Sequence, residues 1–244
     1  MSCALCQSNS PLQKSHIIPE FFYVPLYDNI HRFNIVPLET SKSGRFKQKG
    51  LYEKLLCKAC EKKFCVWETY IKNAFCEGVG IKINQSGDLL KLSNLDYDKF
   101  RLFLLSLLWR MGVSELDFFS LVSLGEKHEE ILRLALLNAD PLEPLQYPCL
   151  MSVVHNNDTV RLDQISQPTH MKTPDNIDCF CVMINGLLLR FYVTNQLLPS
   201  FYADACVSKK GEMCVLIDEV KSIPFLAEYF SEFGNAVRAR SGGN

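Results

Sequence analysis

Two Cys-x-x-Cys pairs, Cys3-Ala-Leu-Cys6 and Cys57-Lys-Ala-Cys60, hold the residues of this chain best equipped for chemistry. Each pair can present two sulfurs to one ion, and Zn²⁺ accepts four thiolates tetrahedrally without a competing geometric demand. The spacing predicts a closed, structural zinc centre held by Cys3, Cys6, Cys57 and Cys60. Between the pairs lie 50 residues, more than a simple zinc ribbon needs. That length leaves room for a hairpin carrying Ser15-His16-Ile17-Ile18-Pro19 and a return to a helix opening at the second pair. Glu61 follows Cys60 directly. A carboxylate there suits a hard cation, and the N-terminal end of the helix dipole also favours it.

These strings, Cys-x-x-Cys, Ser-His-Ile-Ile-Pro and Leu-Leu-Cys-x-x-Cys-Glu in that order, resemble the zinc-stapled HNH, or His-Me finger, endonucleases. The likeness covers about the first third of the chain. It implies a zinc-bound ββα-metal, treble-clef-like finger that hydrolyses phosphodiesters with one Mg²⁺ or Mn²⁺ ion. By that resemblance His16 stands where the general base stands, Glu61 where the metal ligand after the second pair stands, and Ser15 where an aspartate ligand is usual. Glu20 and Glu68 are reserve ligands, and Asn29 or Asn34 is placed to orient the histidine. Similar bacterial proteins imply a setting in phage defence or mobile-element biology. Ser15 departs from the pattern, because a neutral hydroxyl binds a hard cation less well than a carboxylate. The rival reading is therefore a catalytically inactive zinc module that binds nucleic acid, DNA above all, or a protein.

Charge distribution supports a polyanionic partner. Residues 1–85 carry 12 Lys+Arg against 7 Asp+Glu, whereas the remainder carries 14 against 20, so the net charge of −1 hides a basic N-terminal part. Lys42, Arg45, Lys47, Lys49 and Lys54 fall between the Ser-His segment and the helix, where a phosphate backbone would pass. Eleven cysteines with no secretory leader argue for thiols and metal over disulfides, and for a cytoplasmic protein. Cys65, Cys76, Cys149, Cys179, Cys181, Cys206 and Cys214 read as buried small hydrophobes. No apolar run is long enough to span a bilayer.

The elements that must position these groups follow from periodicity. Leu12 to Ile18 reads as a strand ending at Pro19, which puts His16 at a strand end. Phe64, Trp67, Ile71 and Phe75 share one face of a helix expected over 58–75. The fold class expected is α+β, with a finger over 1–85 and a mixed helical and antiparallel-sheet domain over 86–244. That second part offers an interface for a protein partner or a second copy. Within it a strongly apolar helix is expected over 96–111, and Ser114-x-x-Asp117 and Ser123 are expected to cap the next two helices, the second over 126–138. Leu150–His155, Asp178–Asn185, Leu187–Thr194 and Glu212–Asp218 read as strands, and Asn185-Gly186 as a type I′ hairpin turn. A helix over 223–233 and a tail over 238–244 complete the expectation.

Overall fold

The computed structural model describes residues 2–36, 45–155, 165–173, 176–194, 198, 200–223 and 226–227. Strands β1 (Leu12–His16) and β4 (Tyr52–Cys57) pair antiparallel as a separate two-stranded ribbon. Helix α1 (Lys58–Ile71) leaves β4 directly, while two strands of another sheet come between β1 and β4 in the chain. Phe64, Trp67 and Ile71 are buried along one face of α1, as their spacing predicts. The helix ends in one π-type turn over Lys72–Cys76.

All other strands join one sheet. They are β2 (Phe33–Val36), β3 (Arg45–Lys47), β5 (Lys82–Ser86), β6 (Leu89–Ser93), β7 (Cys149–His155), β8 (Ile165–Ser166), β9 (Thr169–Lys172), β10 (Asp178–Ile184), β11 (Leu187–Val193) and β12 (Met213–Glu219). Their order is β3-β2-β8-β10-β11-β7-β12-β6-β5, with β9 also on β10. Pairing is mostly antiparallel, but β2–β8 and β12–β7 are parallel. The turn between β10 and β11 has Asn185 at φ 50° and Gly186 at φ 75°, the two positive values a type I′ turn requires.

Helix α2 (Tyr97–Val113) is buried over nearly its whole length, as a helix apolar on every side must be. Asp96 caps it, its side chain accepting the Lys99 N–H at 3.1 Å. Helix α3 (Gly125–Asn138) packs on α2 and begins after Leu124 without a side-chain cap. Ser123 therefore does not serve as its cap, and Ser114 instead accepts the N–H of Leu116 in a short turn. Cys65 and Cys76 prove exposed, while Cys149, Cys179, Cys181 and Cys206 are buried as expected.

The boundary expected near residue 85 falls inside β5, which forms a hairpin with β6 across Gly87. One buried cluster runs from Cys3 and Leu5 through Phe64, Leu108 and Phe180 to Val215. A loop belonging to the first third supplies two strands to the sheet of the last third, because Ile35 of β2 pairs with Ile165 of β8. No helix among the described residues is long and apolar enough to cross a membrane.

Candidate functional site

The four cysteines come together as one cluster. Cys3 and Cys6 sit in a tight N-terminal turn in which the Gln7 N–H donates to the Cys3 carbonyl at 2.8 Å and Gln7 takes φ 57°. Cys57 ends β4 and Cys60 lies in the first turn of α1. Every sulfur lies within 4.8 Å of the others. Four sulfurs about 2.3 Å from a tetrahedral ion must stand about 3.8 Å apart, and Cys6 Sγ and Cys57 Sγ are 3.8 Å apart. The Cys57 N–H donates to Cys3 Sγ at 3.3 Å, which favours a thiolate there. The residues thus fit a four-thiolate metal site. Burial pushes the Cys3 and Cys60 thiols above their ordinary value. The Ser8 hydroxyl, 3.1 Å from Cys6 Sγ, instead brings that thiol down to about 6. The turn is tied to the rest of the chain by the Ala4 N–H on the Leu55 carbonyl and by Arg133 of α3, whose Nη1 donates to the Leu5 carbonyl at 2.7 Å.

His16 lies at the end of β1, directly opposite Tyr52 of β4. Its ring stands edge-on to Tyr52 at 5.9 Å and tilted to Tyr23 at 6.5 Å. His16 Nε2 is 3.0 Å from Glu20 Oε2, with the two side chains 33% and 45% exposed. Pro19 turns the chain into a short 3₁₀ segment beginning at Glu20, and this brings a carboxylate four residues on back to the imidazole. Glu20 Oε1 also accepts the Tyr27 hydroxyl at 2.8 Å, so the carboxylate is held at both oxygens.

Ser15 points to the other face and is 1% exposed. Its Oγ accepts the Leu56 N–H at 3.1 Å. Burial raises the Glu61 carboxyl above its ordinary value, opposed by the nearby Ser15 hydroxyl and by the charge of Arg110. Glu61 Oε1 is buried with no hydrogen-bond partner among the described residues. A buried carboxylate oxygen without a partner is costly. Among the described residues only the four-cysteine cluster brings three or more candidate metal ligands together.

Arg110 of α2 lies buried beside these groups. Its Nη1 donates to the His16 carbonyl and to Glu68 Oε1, both at 2.7 Å. Nε donates to the Ser106 carbonyl at 3.2 Å, and the guanidinium lies 5.3 Å from the centre of the Phe64 ring. The available signal was a charge inside an otherwise apolar helix, which folding tolerates only when the charge is partnered.

Lys47, Lys49 and Lys54 are exposed beside the ribbon. Lys42 lies outside the described residues. Arg45 sits in β3 opposite Ile35, and its side chain is outside the described set. Asn29 is in an exposed turn over 28–31, and Asn34 pairs with Phe46 in β2. Compared with known proteins, the chain matches no protein-family model, no curated protein and no solved structure.

Proposed function

We propose that this chain is a metal-dependent endonuclease of the HNH type, acting on nucleic acid and above all on DNA. In this reading the four cysteines hold a structural Zn²⁺ that fixes the β1–β4 ribbon against α1 in a treble-clef-like finger. The observation that carries it is the four-cysteine cluster on the ribbon and helix that carry the His16–Glu20 pair and, in the first turn of α1, a partnerless buried oxygen of Glu61.

His16 acts as the general base. Its Nε2 faces Glu20 Oε2 at 3.0 Å, and in this reading Nδ1 takes the proton from the attacking water. Glu20 then faces the imidazolium that forms and stabilises it. Glu61 would hold the divalent ion, Mg²⁺ or Mn²⁺, which would supply positive charge for phosphodiester hydrolysis. Arg110 fixes the His16 backbone through the carbonyl and neutralises Glu68.

A second reading has one observation in its favour. Ser15 is buried and already bonded to Leu56, so no carboxylate occupies the position the finger ordinarily uses. An inactive zinc module that binds nucleic acid or a protein would need none. The test is cleavage of plasmid and single-stranded DNA and of RNA with Mg²⁺ or Mn²⁺. His16→Ala should cost about 10²–10⁴-fold at unchanged zinc content. Wild-type protein that cuts nothing, joined by a Ser15→Asp variant that also cuts nothing, would establish the binding module.

A further inference from the structure

We propose that the exposed face of the β1–β4 ribbon is a track for an unpaired nucleic-acid strand, with Tyr52 as the platform for one base and Lys14 as a phosphate contact. The inference rests on the reading of the finger as directed at nucleic acid, and it names the form of the substrate.

Lys14 and Lys54 stand directly opposite each other in the antiparallel ribbon, and His16 and Tyr52 form the next outward-facing pair. Like charges opposite one another destabilise a strand pair. Acids on neighbouring residues ordinarily relieve such a clash, but here they are engaged elsewhere. Glu20 is bound to His16 and Tyr27, while Glu53, opposite Ser15 on the other side, accepts the Glu115 N–H. Among the described residues Lys14, Lys47, Lys49 and Lys54 make no ion pair. A bound polyanion would compensate all four at once. Lys14 Nζ meanwhile rests 5.4 Å from the centre of the Tyr52 ring, a position from which it can turn to a phosphate when a base takes the ring face.

The track continues past the ribbon. Lys47, Lys49, Tyr52 and Leu116 line a groove of about 410 Å³, so the cations flank an aromatic and an apolar side chain. Such interleaving of charge and ring suits a single strand, whose backbone follows the cations while a base stacks. In a duplex both faces of each base are covered by its neighbours, so a base can lie on Tyr52 only from an unpaired segment or after flipping out. A base on Tyr52 also brings its phosphodiester beside His16, the neighbouring ring.

Anisotropy of a labelled 20-nucleotide strand and of its duplex, with zinc-loaded full-length protein and no added divalent ion, tests the proposal without cleavage. The strand should bind more tightly than the duplex. Tyr52→Ala should weaken strand binding about 5- to 150-fold, the worth of one stacked base, with the salt slope unchanged, and Tyr52→Phe should restore it. Lys14→Gln should lower the slope by about 0.7, one phosphate on a single strand. Zinc content and melting temperature of each variant report that the fold is intact. Tighter duplex binding with no effect of Tyr52→Ala overturns the proposal, and so does equal binding of a polyglutamate chain, which would mark an acidic protein partner. Protein that binds the strand but cuts nothing keeps this inference and loses the endonuclease. Protein that cuts duplex regardless of Tyr52 does the reverse.

Discussion

Replacing Arg110 by Met tests whether the apolar helix α2 holds the candidate site together. The Arg110 side chain is 3% exposed and that of its partner Glu68 is 25% exposed, with 2.7 Å between them. Removing one member of a buried pair costs about 3–5 kcal/mol, because the other charge stays behind uncompensated. Water reaches part of Glu68, which relieves some of that cost, and the methionine thioether still fills the space beside Phe64 and Ser106. Loss of the bond to the His16 carbonyl adds about 1 kcal/mol. The sum places the destabilisation at about 2–4 kcal/mol, read by urea unfolding of zinc-loaded protein. Glu68→Gln alone should cost less, and in the double variant it should recover a good part of the loss, since the stranded charge is then gone. Under the endonuclease reading proposed above, cleavage should fall by more than stability explains, because a shift of about 1 Å in a catalytic group can cost about 10²-fold. A loss below about 1 kcal/mol, or strict additivity in the double variant, would refute the buried pair.

Zinc uptake should release at least about two protons per ion near pH 7, because Cys3 and Cys60 are raised by burial and enter the site as thiols, while Cys6 at about 6 is already largely thiolate. Calorimetry in buffers of differing ionisation heat counts them, and affinity should rise with pH. Chelation should loosen α3 as well as the finger, visible in hydrogen exchange, because Arg133 holds the Leu5 carbonyl. Asp96 is raised by partial burial but lowered more by Lys99, and its carboxyl ends below the ordinary value. Its contribution is therefore complete above the unfolded value and lost as pH falls through the folded one. Asp96→Ala should cost about 1 kcal/mol at pH 7 and much less at pH 2. Gly211 takes φ +73°, and a Cβ there would strike the Leu95 backbone; Gly211→Ala should cost more than about 2 kcal/mol in melting experiments.

Local signals read well from the chain. The two cysteine pairs, the aromatic stripe of α1, the uninterrupted apolar run of α2 and Asn185-Gly186 each report a short-range preference that tertiary packing reinforced. What escaped was non-local or atypical. Strand β5 has every residue exposed, so it shows no alternation of apolar and polar positions, and its stretch resembles a linker at 85. The pairing of Ile35 with Ile165 joins segments that no periodicity connects. At the site, His16 and Glu61 were visible as residue types at telling positions. Glu20 was visible only as a reserve ligand, because the bend that brings it to His16 is made by Pro19. Arg110 was hidden by sequence distance, since its contact with His16 spans 94 residues.

The insertion of β2 beside β8 has a consequence for assembly in time. During synthesis the segment carrying both cysteine pairs emerges well before Ile165, so β2 must wait, with its edge unpaired, for a strand not yet made. Contacts of such long sequence separation slow folding, because loop closure precedes any return from pairing. The same holds for Arg110, which secures the His16 carbonyl only once α2 is present. The site therefore reaches its final geometry only after α2 and β8 have been made, and an N-terminal segment left without those later elements would expose apolar surface of the kind that chaperones recognise.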